Sequence, residues 1–326
     1  MPARELVVLG TASQAPTRYR NHNGYLLRWD GRSILFDPGE GTQRQLLLAG
    51  VSAWSIHHIC ITHFHGDHCL GLPGILQRMA LDGVTHPVHV LFPAEGAVYF
   101  ERLRHASVFR DTLDVRPHPV SQDGTVVDDG SLSISAVRLD HEPQTFGWRV
   151  EEPDGHRMLT GPLRRAGIEG PEVGLLQRQG WVDTPGGRVE LEQVSARRPG
   201  QRMAFVMDTG IGEAAVALAD HADLLVCEST FAQADEALAR RYRHLTAADA
   251  ARTAQAALAR LLVLTHFSQR YPDSGVLEQE AAAIFPDVIA AADLMRVPVP
   301  ARHAPGDDEP ITPARVTGPE ADRAGP

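Results

Sequence analysis

Within Thr62-His63-Phe64-His65-Gly66-Asp67-His68, four side chains able to ligate a metal fall inside six residues. Imidazole and carboxylate together suit zinc and, in some sites, iron or manganese. The single residue between His63 and His65 puts both rings on one side of an extended backbone, because side chains alternate along a strand. Asp67 and His68 follow where the chain turns, so they can face a second ion. Three histidines and an aspartate at this spacing are not a chance pattern. By contrast His57, His58, His86, His89, His105 and His118 have no partner motif and read as structural or solvated residues.

One such segment cannot complete two metal sites, so further ligands must come from elsewhere. Asp140-His141 closes an alternating run at 131–139, Asp208 closes an apolar run at 203–207, and His266 closes another at 261–265. A polar residue at the carboxyl end of an apolar strand is where α/β proteins place their chemistry.

The elements that must position these residues are legible in outline. Residues 5–10 form a β-branched run ending in glycine. Residues 24–37 hold two apolar segments around Asp30-Gly31, a dipeptide that accepts the positive φ angles of a type I′ hairpin turn. The pattern predicts a helix at 42–49, a strand at 56–62 running into the histidine cluster, and a helix over 70–81. Residues 131–139 alternate as a half-buried strand should, and 146–150 continue that sheet. Short apolar runs at 203–207, 224–227 and 261–265 read as covered strands. Thr246-x-x-Asp249 opens an alanine-rich helix over 246–260 with a capping-box-like start. Strands mixed with helices, beginning with a hairpin, predict an α/β fold of two mixed sheets with helices outside.

Composition excludes several classes. With 43% hydrophobic and 22% charged residues in 326, the chain is neither disordered, collagen-like nor a coiled coil. No apolar stretch approaches the roughly 18–20 residues that span a bilayer, so no membrane partner is expected. The start, Met1-Pro2-Ala3-Arg4-Glu5, runs into a strand without a secretory leader, and a cytoplasmic location is the expectation. Cys60, Cys69 and Cys227 are scattered and odd in number, which argues against a disulfide framework or a cysteine zinc finger. The net charge is −10, so a polyanion would have to meet a local positive patch. The chain has no lysine, and all 31 basic residues are arginine.

Two segments break the rhythm of strands and helices. Residues 156–202 are rich in glycine, proline and arginine, with little periodicity, and carry eight arginines against five acids. A long stretch without pattern inside a compact domain is usually functional or mobile. Beyond residue 301 the chain has five prolines and almost no apolar content, so disorder is expected over 301–326.

HxHxDH followed by a later His, Asp and His resembles the metallo-β-lactamase superfamily, which implies an αββα sandwich with a dinuclear metal site at one edge. Pro16-Thr17-Arg18-Tyr19-Arg20-Asn21, Phe36-Asp37-Pro38-Gly39-Glu40-Gly41-Thr42-Gln43, Glu228-Ser229-Thr230-Phe231 and Leu264-Thr265-His266-Phe267-Ser268-Gln269-Arg270-Tyr271 are similar to segments of ribonuclease Z, the tRNA 3′-processing endonuclease family. The likeness runs over about residues 5–300 in order. It implies a catalytic domain over 1–300, precursor tRNA as substrate, two Zn2+ per chain with Mn2+ or Fe2+ as substitutes, and a homodimer. It further implies that His63, His65 and His141 hold one ion, that Asp67, His68 and His266 hold the other, and that Asp208 bridges them. Asp67 is implied as the proton acceptor and His244 as the group that protonates the leaving oxygen or steadies the phosphate. Asp37 and Glu40 are expected to brace the ligands. The 156–202 stretch resembles the family's flexible tRNA-gripping arm (the exosite), although here it is only mildly basic. The metal residues alone equally admit another hydrolase of the superfamily: a cyclic-nucleotide phosphodiesterase, an arylsulfatase-like enzyme or a lactonase. An RNA-binding scaffold without metals would require a lost ligand, and none is lost.

Overall fold

The computed structural model describes residues 4–302, so the tail expected beyond residue 301 lies, but for its first two residues, outside the described part. Two seven-stranded mixed sheets pack face to face. The first contains β1 (Glu5–Gly10), β2 (Gly24–Trp29), β3 (Arg32–Phe36), β4 (Ile56–Cys60), β5 (Val88–Pro93) and β6 (Val115–Val120) in sequential order, with β18 (Arg296–Pro298) beside β1. The second begins with β7 (Gly124–Asp128), β8 (Ser133–Leu139) and β9 (Thr145–Glu151). It continues, after an insertion, with β14 (Arg202–Val206), β15 (Leu224–Glu228), β16 (Leu262–Thr265) and β17 (Val288–Ala290).

The β2–β3 hairpin turns at Asp30 and Gly31, both at positive φ (48° and 87°), as the dipeptide predicts. Strands β14 to β17 run parallel, and β14 to β16 read as apolar segments because both of their faces are covered. Val8, Phe36, Phe146, Trp148 and Phe205 fill the space between the sheets. Outside the first sheet lie α1 (Thr42–Leu48), α2 (Gly66–Cys69), α3 (Leu72–Leu81) and α4 (Ala97–Arg104), with Leu72, Ile75 and Met79 turned to the sheet. Outside the second lie α7 (Glu213–Leu218), α9 (Ala247–Ala256) and α10 (Gly275–Ala282), whose small alanine faces let them pack closely, with α8 (Glu236–Tyr242) just before α9. The sandwich is therefore αββα. Thr246 and Asp249 form the expected reciprocal cap of α9. That helix stops at Ala256 rather than at residue 260, because Leu258 takes a left-handed conformation (φ 53°) and the chain turns into β16.

The insertion between β9 and β14 carries regular structure that its sequence pattern did not reveal. β10 (Gly155–Met158) and β13 (Ser195–Arg198) pair as a ribbon at its root. Beyond the ribbon come α5 (Thr160–Ala166), α6 (Pro171–Gln179) and a hairpin of β11 (Trp181–Thr184) with β12 (Gly187–Glu190). Leu163, Ile168, Leu176, Val182, Leu191 and Val194 give this lobe a small core of its own.

Glu152 fastens the root of the lobe to the sandwich. Its buried carboxylate accepts from Arg4 (2.7 Å), Arg198 (2.8 Å) and the Gln201 N–H (3.0 Å). Burial alone would push the carboxyl up, but these donors outweigh it and hold its pKa at about 2 against an ordinary 4.5. A carboxylate depressed in the folded state contributes stability that is complete above its unfolded pKa and is lost as the pH falls through the folded one. Glu152→Gln should therefore lower the melting temperature at neutral pH, with the gap to wild type narrowing as the pH drops below 4.5. A gap independent of pH would show that the charge contributes nothing.

Candidate metal centre

The expected ligands converge at one edge of the sandwich, at or beyond the carboxyl ends of β4, β8, β14 and β16. Atoms of His63, His65, His141 and Asp208 lie within 4.8 Å of one another, and so do those of Asp67, His68 and His266. Asp208 sits between the sets. Its Oδ2 is 3.5 Å from His63 Nε2, 3.5 Å from His68 Nε2 and 3.7 Å from His141 Nε2, while its Oδ1 is 3.1 Å from His266 Nε2. Of the Asp140-His141 pair only His141 joins the cluster; the Asp140 carboxylate is 61% exposed and faces Arg243.

The backbone is bent to bring these side chains in. Asp208 (φ 47°) and His266 (φ 61°) occupy the left-handed region, which costs a non-glycine residue on the order of 1–3 kcal/mol and is concentrated at functional sites. The loop carrying Asp37 packs directly on the histidine loop, because a Cβ on Gly39 would stand 2.2 Å from the Asp67 carbonyl oxygen and one on Gly71 2.1 Å from that of Gly39.

Four of the imidazoles are aimed by what holds their other nitrogen. His68 Nδ1 donates to Asp37 Oδ2 (2.8 Å), and His141 Nδ1 to the Arg243 carbonyl (3.1 Å). His63 Nδ1 meets Thr62 Oγ1 (3.1 Å), which itself donates to Asp37 (2.7 Å). His266 Nδ1 meets Thr230 Oγ1 (2.6 Å), which donates to Glu228 (2.6 Å). Each Nδ1 is thereby occupied and each Nε2 faces the centre, where that of His63 also lies 2.8 Å from His65 Nδ1 and that of His68 3.3 Å from Asn23 Nδ2; outer partners orient metal-binding histidines in this way. His141 Nε2, His266 Nε2 and Asp208 Oδ1 are buried without a hydrogen-bond partner. Buried polar atoms are rarely left orphaned, and a cation among them satisfies all three. The donor set fits a metal.

Asp37 thus braces His63 and His68 as expected. Glu40 does not: its side chain is exposed, and only its carbonyl is engaged, by Asn21 Nδ2 (2.8 Å). Glu228 was given no role in the sequence, yet it is fully buried and accepts from Thr209 N–H (2.7 Å), Thr230 Oγ1 and His244 Nδ1 (3.0 Å). Burial would push the His244 imidazolium down, but the Glu228 and Asp208 carboxylates reverse this and raise its pKa to about 9. Asp67 Oδ2 lies 3.3 Å from His68 Nε2 and 3.5 Å from His266 Nε2. The centre opens into a cleft of about 800 Å³ whose walls include Gln14, Tyr242, Arg243, His244 and Arg270.

An αββα sandwich with this cluster at its edge defines the metallo-β-lactamase superfamily, and residues 17–222 match that family. The chain is 57% identical to ribonuclease Z of Salinispora arenicola over 94% of its own length and 99% of the relative's. It is 45% identical to ribonuclease Z of Chlamydia muridarum over 90% of its length and 96% of the relative's. It also superposes on human tRNase Z, short form, with a TM-score of 0.66 at 26% identity, covering 91% of this chain and 99% of that one. The chain belongs to the ribonuclease Z family. The other hydrolases that the metal residues alone admit are not favoured. Among the described residues, no helix is long and apolar enough to cross a membrane.

Proposed function

We infer that this cleft cuts precursor tRNA just after the discriminator nucleotide, releasing a tRNA with a 3′-OH and a trailer with a 5′-phosphate. The observation that carries the reading is the set of imidazoles locked at Nδ1 and aimed by Nε2 at Asp208, in a chain of this family. His63, His65 and His141 would hold one zinc and Asp67, His68 and His266 the other, with Asp208 between them; manganese or iron would fit the same donors. Such a pair of ions supplies Lewis acidity at both the attacking and the leaving oxygen of an in-line displacement.

The protein's own groups do the rest. Asp67 accepts the proton of the attacking water, whose oxygen bonds to phosphorus. The P–O3′ bond breaks, and the departing oxygen takes its proton from His244 Nε2. Glu228, fixed by Thr209 N–H, Thr230 Oγ1 and Leu245 N–H, holds the His244 ring by Nδ1 and favours its charged form; general acid catalysis of this kind typically contributes about 10²–10⁴-fold. The lobe at 156–202 grips the body of the tRNA, away from the metals. The enzyme works as a homodimer in the cytoplasm, where precursor tRNA is available.

Incubation of the purified protein with a precursor carrying a 3′ trailer, followed by mapping of both new ends, tests this. A single cut after the discriminator with the stated termini is expected. An intact precursor, or a ladder of single-nucleotide steps, would overturn it.

A further inference from the structure

Helix α8 ends at Arg241-Tyr242, and Arg243 then turns the chain through a left-handed residue (φ 53°) that leads directly to His244. Tyr242 lines the same cleft and is 51% exposed. The Arg241 guanidinium lies 5.5 Å from the centre of its ring. The helix behind the ring is pinned: Arg240 donates to the buried Asp249 carboxylate (2.8 Å) and to Glu236 (2.7 Å). The Arg243 carbonyl is meanwhile engaged by His141 Nδ1 (3.1 Å). The backbone that carries the ring is therefore held between a metal ligand's partner on one side and His244 on the other.

An open aromatic face beside a guanidinium, in a cleft whose other walls are mostly polar, is what a nucleobase stacks on. Which base it meets follows from the bond that breaks. The leaving oxygen is O3′ of the nucleotide on the 5′ side of the cut, and His244 stands beside that oxygen to protonate it. Tyr242 lies two residues before His244 and lines the same cleft, which places it within reach of the nucleoside that departs with that oxygen.

We propose that Tyr242, flanked by Arg241, stacks on the base of the discriminator nucleotide and so sets the scissile phosphate at the metal centre. This rests on the tRNA-processing reading above. Stacking uses the π-face that all four bases share, so the platform fixes position without selecting sequence.

The test compares kcat/KM for one precursor tRNA with a natural discriminator and for the same RNA with an abasic nucleotide there. Wild type should lose about 10- to 100-fold on the abasic substrate, in line with the worth of one stacked base. Tyr242→Ala should lose a similar factor on the natural substrate and less than about twofold more on the abasic one, the non-additivity expected of directly coupled groups. Tyr242→Phe and Tyr242→Trp should keep most of the activity on the natural precursor. Equal losses from Tyr242→Ala on both substrates would mean a merely structural role and overturn the proposal, as would wild type that does not distinguish the two RNAs. Failure of wild type to cut the natural precursor at all would instead bring down the tRNA-processing reading, and the stacking site with it.

Discussion

Asp208→Ala should lose at least about 10³-fold in precursor cleavage, the equivalent of several kcal/mol of transition-state charge stabilisation. Elemental analysis of the same variant should show its metal content falling well below that of wild type. The reason is position. Among the described residues, Asp208 is the one side chain whose two oxygens reach both histidine sets, at 3.1 Å to His266 and 3.5–3.7 Å to His63, His68 and His141. Removing it leaves four buried imidazole nitrogens without the carboxylate that would help neutralise bound metal, so affinity at both histidine sets should fall together. Asp140→Ala is the control. It removes a carboxylate just beside the cluster in sequence but 61% exposed and turned to Arg243, and it should retain its metal. Full metal in Asp208→Ala would remove that residue from the bridge.

What could be read in the sequence divides along a physical line. His63, His65, Asp67 and His68 are visible because local spacing alone makes them neighbours. His141, Asp208 and His266 are visible because each closes an apolar run, and the fold lays β14 and β16 on either side of β15 with their ends aligned. Glu228 closes β15 by the same rule and could have been found by it. Its role emerges only when the sheet sets it beside Thr230 and His244. The acceptor that orients His141 had no signal at all, since it is the backbone carbonyl of Arg243 and any residue type offers one. Glu40 shows the opposite error: the family resemblance led to the expectation that it braces the ligands with Asp37, but the intervening turn points it to solvent. The lobe at 155–198 was opaque because its elements span only 4–9 residues. Segments that short cannot display a helical or alternating period, although together they bury a core of six apolar side chains.

That lobe makes a second large effect testable with a cleaner cut than its sequence would suggest. Met158 pairs with Ser195 at the end of the β10–β13 ribbon. Residues 159–194 can therefore be replaced by Asn-Gly, a two-residue turn that closes an antiparallel ribbon, leaving the Glu152 anchor untouched. This variant should raise KM for precursor tRNA by at least about tenfold, because contacts remote from the reacting phosphate contribute association and positioning energy. Hydrolysis of bis(p-nitrophenyl) phosphate, which is too small to reach the lobe, should persist, since the charge stabilisation it needs comes from the metal centre. The excised residues carry four arginines (164, 165, 178 and 188) against five acids, while Arg157, Arg197, Arg198 and Arg202 stay behind. The salt dependence lost with them should accordingly be shallow, since no net positive charge leaves the protein. Loss of small-diester hydrolysis as well would place the lobe within the catalytic core. Unchanged tRNA cleavage would end the reading of the lobe as a tRNA-binding arm, and the acceptor end alone, held in the cleft between Tyr242 and the metals, would have to account for recognition.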